Sequence, residues 1–401
     1  NLICRALCPV ILLAALSSSP QAQEATSLEP GKPIERTIGG GQTHTYRLTL
    51  QAGQFVHFDV QQTSCDVALT LIAPDGTKRE MDGTFYGLPE TLSAEISMTG
   101  EYQLALRSVD FLKMSGQFRL QANVKSAADA NDKKRLEAER LVIEMPRTNA
   151  PEQRLQRAEQ MLVIWQELGE RFWEGFAHYH IANSLFALQN TPKATEQIQL
   201  SLSIWRAFDF RVGETYALHS LASYQHRSNS TDNAIATAQE AIKIARETNA
   251  KIRIAALLGS LGDFHFSRTL YDQAGEYYEQ SNSMWVELGN TANEADYHNV
   301  RGMIAQRQKK FAEAQSFFEL ALTKAQAANN KRFAAAILKN LGDLQRDQTE
   351  FEKANEYDEK SLALSRELND KQAQINLLSS IGQYYYGRAE YEKALGYYDQ
   401  Q

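Results

Sequence analysis

Histidine side chains can bind a metal ion, and this sequence has eight of them. Six of them fall in one stretch: His178, His180, His219, His226, His265 and His298. His178 and His180 are only two positions apart, so on a helix they would point to different sides. The sequence has no HExxH motif and no paired-carboxylate spacing that would complete a metal site. We therefore interpret these histidines as packing or groove residues and expect neither a metal nor a cofactor.

A second group, near the N-terminus, could supply a nucleophile and a base: His44, His57, Asp59, Cys65 and Asp66. His44 and His57 stand on alternating segments, where an outward-facing histidine needs no catalytic role, and Cys65 has the character of a small core residue. The other two cysteines, Cys4 and Cys8, lie in the first ten residues, which excludes a disulfide framework in the rest of the chain. We expect no enzyme in this sequence.

Composition gives the first indication of the elements that must position these residues. The 401 residues are 43% hydrophobic and 23% charged, which is ordinary for a folded protein with two or three domains or with one domain and an array. Lys and Arg total 42 against 49 acidic residues, and this net charge of -7 argues against nucleic acid as a partner. Six of the nine prolines precede residue 100, so the chain changes character along its length.

Residues 1–23 have the layout of a secretory signal peptide. Arg5 precedes an apolar run from Ala6 to Leu16, and Ser17 to Pro20 end it. The run is shorter than the ~20 residues needed to span a bilayer, and no other segment approaches that length. A buried N-terminal strand or helix is the alternative. We expect an exported protein, periplasmic or extracellular, whose mature chain has no transmembrane segment.

Residues 28–125 alternate between apolar and polar types with period two. His44 to Leu50 and Phe55 to Val60 are two such runs, and a glycine turn at 51–54 joins them. The pattern continues as some eight short strands at roughly ten-residue spacing, which predicts an antiparallel β-sandwich.

This segment resembles the bacterial pre-peptidase C-terminal type of β-sandwich. The residues that carry the resemblance are LEPGKPI at 28–34, HTYRL at 44–48, AGQF at 52–55, APDG at 73–76 and GEYQL at 100–104. Such modules accompany exported catalytic or repeat domains, so the resemblance implies an accessory role.

Beyond Ala127 the pattern becomes helical and repeats every 40 residues. A small residue recurs at Ala182, Ala222, Gly262, Gly302, Gly342 and Gly382, and an alanine recurs at Ala194, Ala234, Ala274, Ala314, Ala354 and Ala394. Small residues let two helices cross closely while larger apolar side chains fill the grooves around them. Each unit is therefore predicted to be a helical hairpin, and the hairpins are predicted to stack because none can bury its faces alone.

Several motifs in this array resemble the tetratricopeptide repeat. They are Leu-Gly-Asp at 261–263 and 341–343, Glu-Lys-Ala at 352–354 and 392–394, and an aromatic residue that starts the second helix at Tyr271, Phe311, Phe351 and Tyr391. The resemblance implies a mainly α fold, a right-handed superhelix of helical hairpins. The family's unit has about 34 residues, and we expect the extra residues of this chain at the end of each second helix and in its loop.

The array divides into an irregular first hairpin at 129–170 and repeats at 171–401. Five of these repeats are complete and a sixth is cut off inside its second helix, so we expect more protein after Gln401.

First-helix residues beside the small positions are expected to line the inner, concave face. They combine aromatic rings with polar groups, a mixture that suits an extended peptide or a protein partner. The candidates are Tyr179, Asn183, Phe186, His219, His226, Asp263, Phe266, Asn299, Lys339, Asp343 and Arg346. The first interpretation is thus a protein-protein interaction scaffold without catalytic residues.

The order of the segments resembles the N-terminal part of exported bacterial proteins that end in a CHAT domain, a caspase-like module with a His-Cys dyad. That resemblance implies an alternative function, in which the chain is the regulatory or substrate-recruiting half of a peptidase. The catalytic domain would then lie beyond residue 401.

Overall fold

A computed structural model describes residues 25–63, 65–84, 86–108, 115–145, 150–290 and 293–401 of the chain. The predicted signal peptide at 1–23 lies outside these residues. Within them, nine strands are followed by fourteen helices, which confirms the prediction of a mainly α fold preceded by a β-sandwich.

The N-terminal part consists of two packed sheets. Its strands are β1 (Thr26–Ser27), β2 (Ile34–Gly39), β3 (Thr43–Leu50), β4 (Phe55–Thr63), β5 (Val67–Ile72), β6 (Lys78–Met81), β7 (Glu90–Glu95), β8 (Gly100–Ser108) and β9 (Ser115–Lys125). One sheet has the order β1-β3-β8-β5-β6 and the other the order β2-β9-β4-β7. Among the described strands every pairing is antiparallel except the short pair of β1 with β3.

Period-two alternation builds the core of the sandwich. Tyr46, Leu48 and Leu50 on β3 are buried, as are Leu104 and Leu106 on the neighbouring β8. Because alternate side chains of a strand point to opposite faces, the residues between them face solvent. The apolar positions of the sequence therefore meet between the two sheets.

The helical part begins with α1 (Ala130–Glu144) and α2 (Pro151–Leu168), which we call the leading hairpin. Six further hairpins, units 1 to 6, follow it in chain order: α3 (Arg171–Ala187) with α4 (Thr191–Ala207), α5 (Arg211–Arg227) with α6 (Thr231–Glu247), α7 (Lys251–Ser267) with α8 (Tyr271–Glu287), α9 (Glu294–Arg307) with α10 (Phe311–Ala327), α11 (Lys331–Asp347) with α12 (Phe351–Glu367), and α13 (Lys371–Gly387) with α14 (Tyr391–Tyr398).

In units 1, 2, 3 and 5 both helices have the same length. Each helix from α3 to α8 and from α10 to α13 has 17 residues. The 40-residue unit is thus two equal halves, whereas we expected the extra residues only at the second helix and its loop. The physical reason is that one type of turn ends each helix from α2 to α13, both within a unit and between units.

That turn is a Schellman motif around a residue in the left-handed conformation. At Asn369 (φ 53°) the backbone N–H donates to the carbonyl of Arg366 at 3.0 Å, and the next N–H, of Asp370, donates to the carbonyl of Ser365 at 2.9 Å. The two bonds satisfy carbonyls that a helix end would otherwise leave without partners. The residues at this position are Gly169, Gln189, Asp209, Asn229, Asn249, Thr269, Gly289, Lys309, Asn329, Thr349, Asn369 and Ala389.

The small residues of the 40-residue series lie where the two helices of a unit cross. A Cβ atom added at Gly262 would stand 2.7 Å from Tyr278 Cε1, and one added at Gly302 would stand 2.6 Å from Phe318 Cδ1. Such distances are far inside van der Waals contact, so these two crossings require glycine.

The sandwich and the helices share a buried junction. Glu139 of α1 is 1% exposed, and its carboxylate accepts hydrogen bonds from the Ser93 N–H (2.8 Å), the Ser93 Oγ (2.8 Å) and the Thr91 Oγ1 (3.1 Å) of β7. Burial raises the pKa of Glu139, while these hydrogen bonds lower it less strongly. A buried carboxylate with three donors fixes the orientation of the sheet on the helix.

In the described residues, no helix combines the length with the apolar character that crossing a membrane requires.

Substitutions at the left-handed turn positions should raise or lower the free energy of unfolding according to how well the new residue fits the left-handed conformation. Thr349 has φ 63° and a β-branched side chain, so Thr349→Gly is expected to raise the free energy of unfolding by about 0.5–1 kcal/mol. Gly289→Ala, at φ 79°, is expected to lower it by about 1 kcal/mol. Urea unfolding of the full chain, followed by circular dichroism, measures both.

The control is Thr323→Gly in the exposed middle of α10, where the same replacement should destabilise. If Thr349→Gly destabilises as much as Thr323→Gly, the left-handed turn is not the source of strain that we assign to it.

Candidate partner-binding groove

The first helices of the units lie on one side of the array, and we call the surface that they form the inner groove. These helices are α3, α5, α7, α9, α11 and α13. Helices α3 and α5 contact each other directly, as do α5 and α7, and α9 and α11, although a second helix separates each pair in sequence. Elements on the inside of a curved array approach one another most closely. The inner groove is therefore the concave side on which we predicted partner-binding residues.

Hydrogen bonds between successive first helices use three of the predicted residues, Asn183, His219 and Asn299. Asn183 Oδ1 accepts from Ser220 Oγ at 3.2 Å and from Tyr224 OH at 3.0 Å. Asn340 Nδ2 donates to Asn299 Oδ1 at 2.8 Å. These side chains link units to each other, so the polar groups that we predicted to contact a partner also set the spacing of the groove.

His219 belongs to the same set of links. Its Nδ1 accepts from Arg253 Nη2 at 3.0 Å, so the proton sits on Nε2, which lies 2.7 Å from Ser260 Oγ. Burial, followed by the positive charge of Arg253, lowers the pKa of His219 to about 3. The ring is therefore neutral and connects α5 to two positions on α7.

The predicted aromatic residues stack on rings of neighbouring helices. Phe186 stacks on Tyr224 with ring centroids 4.4 Å apart, and the Tyr179 ring lies 5.8 Å from that of Trp205. His226 lies 4.9 Å from Phe264 of the next first helix, and its Nδ1 is 3.2 Å from Thr231 Oγ1. Phe266 packs edge-on against Tyr271 at 5.5 Å.

The β-sandwich covers the beginning of the inner groove. The Tyr216 OH of α5 donates to the carbonyl of Tyr86 at 3.3 Å, and a Cβ added at Gly87 would stand 3.0 Å from Val212 Cγ1. The residues of unit 5 that are equivalent to Val212 and Tyr216 are Arg332 and Ala336, and both are exposed. The part of the groove that is open to a partner is therefore formed by α7, α9, α11 and α13, and we call it the open groove.

Unit 5 departs from the core pattern of the other units. The helix position opposite the small residue carries Ile198, Ala238, Tyr278, Phe318, Asp358 and Tyr398 in units 1 to 6. Asp358 is 1% exposed and accepts from Arg346 Nη1 at 2.7 Å and from Ser380 Oγ at 2.7 Å. A charged group with two donors thus replaces an apolar core residue.

The same carboxylate lies beside a recess between units 5 and 6. This recess has a volume of about 640 Å³, and Arg346, Phe351, Asn355, Asp358, Gln383 and Tyr384 line it. Arg346 also donates to Asp343 Oδ1 at 2.5 Å, and Lys339 Nζ lies 2.6 Å from Asp343 Oδ2. Burial opposes the ionisation of Asp343, but these two cations hold its pKa below the ordinary value.

A second recess lies between units 3 and 4. It has a volume of about 230 Å³, and its lining includes Gly259, Asp263, Tyr278, Trp285 and Asp296. Tyr278 OH donates to Asp263 Oδ1 at 2.5 Å. Both carboxylates reach solvent at the mouth of the recess, yet the surrounding protein raises the pKa of each, and for Asp296 the negative charge of Asp263 adds to this effect.

The sandwich residues whose types could supply a nucleophile and a base lie in surroundings that disfavour their charged forms. Burial raises the pKa of the Cys65 thiol to about 11, so it is not a thiolate near neutral pH. Burial, and then the charge of Arg135, lowers the pKa of His57 to about 4, and its Nδ1 lies 2.9 Å from Ser93 Oγ at the junction with α1. In the part of the chain that the structure describes, no group of three His, Cys, Asp or Glu side chains could hold a metal ion.

Sequence reasoning missed Asp296, Asp358 and Asn355 as groove residues. Asp358 carried a signal, because it interrupts an otherwise apolar series at 40-residue spacing. Asp296 and Asn355 carried none, since their positions show no such series.

Comparisons with known proteins identify the repeats. A family model for the tetratricopeptide repeat matches residues 253–327 and 333–400, so this chain contains tetratricopeptide repeats. No curated protein sequence matches the chain.

Solved structures share the helical fold. The apo quorum sensor NprR from B. thuringiensis superposes with a TM-score of 0.55 at 15% identity, covering 67% of this chain and 75% of NprR. A STAND protein with a tetratricopeptide repeat sensor from Pyrococcus horikoshii gives 0.54 at 15% identity, covering 68% of this chain and 42% of that protein. A Rap protein in complex with Competence and Sporulation Factor gives 0.50 at 14% identity, covering 69% and 75%.

Asp358 and Arg346 should be strongly coupled. Asp358→Ala is expected to lower the free energy of unfolding by about 2–3 kcal/mol, because it removes the buried carboxylate that Arg346 and Ser380 hydrogen-bond. Asp358→Ala combined with Arg346→Ala should cost less than the sum of the two single changes. A double-mutant cycle measured by urea unfolding tests this, and additive single effects would contradict the pairing.

The neutral His219 should make the array sensitive to acid. In the unfolded chain a histidine binds a proton near pH 6.5, but the folded ring does so only near pH 3. Between these values the unfolded state binds more protons, so stability falls as the pH falls. His219→Gln is expected to weaken this decline in stability. The control is His226→Gln, at a neighbouring groove histidine, which should not weaken the decline to the same extent. Equal pH profiles of stability for wild type and His219→Gln would refute the assignment.

Proposed function

We propose that the chain is a protein-protein interaction scaffold that binds an extended segment of a partner along the open groove. The observation that carries this proposal is the open groove itself: four successive first helices present polar and aromatic side chains around two recesses. The sandwich already occupies the start of the inner groove, which directs a partner to units 3 to 6.

The chemistry of the open groove suits a polypeptide. Arg332 and Lys339 are exposed on α11, and Asp263 and Asp296 stand at the recess between α7 and α9. Charges of both signs at fixed positions can orient a peptide, while side-chain amides pair with its backbone groups. The Rap structure that shares this fold is a complex with Competence and Sporulation Factor, which adds support for a peptide as the ligand.

The predicted export and the predicted downstream peptidase extend this proposal. If residues 1–23 direct secretion, the partner is met in the periplasm or outside the cell. If a CHAT domain follows, the groove recruits substrates or regulators for it. Reading the coding sequence past Gln401 tests the second idea, because a stop codon with no strand-rich module carrying a histidine and a later cysteine would refute it.

Blocking the open groove should abolish binding. Ala336 is an exposed residue of α11, and Ala336→Trp places an indole in the path of a peptide. For twelve-residue peptides selected from a random display library on the full chain, we expect this change to weaken binding by about tenfold or more, measured by fluorescence anisotropy.

The matched control is Ala363→Trp, the same replacement at an exposed alanine of the second helix α12. It should leave the affinity unchanged. Equal affinities of the two variants for every selected peptide would refute the open groove as the binding surface.

A further inference from the structure

The recess between units 3 and 4 lies at a gap in the links between first helices. Residues 41 apart pair across the groove at His219 with Ser260 and at Asn299 with Asn340. The corresponding pair between α7 and α9 is Gly259 with Val300, and neither side chain can form such a hydrogen bond. The two helices are therefore not connected at this point, and the recess opens there.

Gly259 keeps the recess open without a packing reason. The other units carry Tyr179, His219, Asn299, Lys339 and Ser379 at this position. A Cβ added at Gly259 would meet only Ser281 Oγ at 3.5 Å, which is ordinary contact. A glycine in the middle of a helix costs about 0.5–1 kcal/mol relative to alanine, and here nothing in the packing requires it.

Three side chains that line the recess supply hydrogen-bond acceptors. Asp263 and Asp296 supply carboxylate oxygens, and the buried Asn282 Oδ1 has no hydrogen-bond partner among the described residues. Within the same residues neither carboxylate forms an ion pair, in contrast to Asp343 and Asp358 in unit 5. The recess thus offers negative charge and a free acceptor to a group that brings donors.

The indole ring of Trp285 also lines the recess. Trp165, Trp205 and Trp285 occupy equivalent positions in the 40-residue series, and the first two are 1% and 0% exposed. Trp285 is only half-buried and lines the recess. A cation close to an indole face is stabilised by the ring, most strongly where it is partly desolvated.

We propose that this recess binds the cationic side chain of a lysine or arginine in the partner, held between Asp263 and Asp296 beside Trp285. This rests on the proposed function, since it names one feature of the peptide that the open groove takes. The volume of about 230 Å³ is below that of a pocket for a drug-sized molecule and suits a single side chain.

A small cation tests the recess without a peptide. The full chain is labelled with 5-fluorotryptophan, the Trp285 resonance is assigned with Trp285→Phe, and L-argininamide is titrated while fluorine NMR is recorded. We expect a saturable shift of the Trp285 resonance that disappears in the double variant Asp263→Asn with Asp296→Asn. The control is Glu276→Gln with Glu313→Gln, which makes the same change in net charge at exposed second-helix positions. Absence of the shift, or its persistence in the Asp263→Asn, Asp296→Asn variant, would overturn the proposal.

Peptides separate this proposal from the proposed function. Those selected on the full chain should share a Lys or Arg at one position, and replacing it with norleucine should weaken binding by about tenfold on the wild type but not on the Asp263→Asn, Asp296→Asn variant. Binding that Ala336→Trp blocks but that shows no such preference overturns the cation site and leaves the proposed function intact. A saturable argininamide shift with no peptide binding supports the cation site and overturns the proposed function.

Gly259→Leu, which fills the recess, should abolish the shift of the Trp285 resonance on adding argininamide. A shift that survives this substitution counts against the site.

Discussion

The structure of the helical part depends on one backbone constraint: a residue in the left-handed conformation ends each helix at intervals of 20 residues, from Gly169 to Ala389. Because the two hydrogen bonds of the Schellman turn stop a helix at a fixed place, ten of the helices, α3 to α8 and α10 to α13, acquire the same length of 17 residues. Helices that end at regular intervals cross at equivalent positions, and this brings Gly262 to Tyr278 and Gly302 to Phe318. The regular packing of the helices therefore depends on the regular turns.

Regular packing in turn defines the groove. Since each unit repeats the previous one, its first helix always falls on the same side, and side chains 41 residues apart meet there, as Asn299 and Asn340 do. Departures from regularity are then concentrated where the groove has recesses. Asp358 replaces an apolar core residue beside one recess, and Gly259 removes a link beside the other. In repeat proteins a functional site can be expected at such departures, because the rest of the array is determined by stacking.

Some features of the fold could be predicted from the sequence, and these are the ones that require a particular residue type at regular positions. The 40-residue period was visible because glycine or alanine is required at the helix crossings. The 20-residue period of the turns was not, since the left-handed position accepts Gln189, Lys309 and Ala389 as well as glycine. The sandwich's place over the first units could not be predicted either. It depends on a contact between Tyr86 and Tyr216, which are 130 residues apart and belong to no repeat.

The candidate residues show the same limit. Their types suggested contact with a partner. Lys339 and Asp263 are exposed, whereas Asn183 and His219 form hydrogen bonds between helices. A polar side chain on the inner face can serve either role, and the choice depends on whether the adjacent first helix presents a complementary group. At Gly259 and Val300 it presents none, and within the described residues the nearby carboxylates of Asp263 and Asp296 form no ion pair. Specificity in this fold is then decided where neighbouring units fail to satisfy each other.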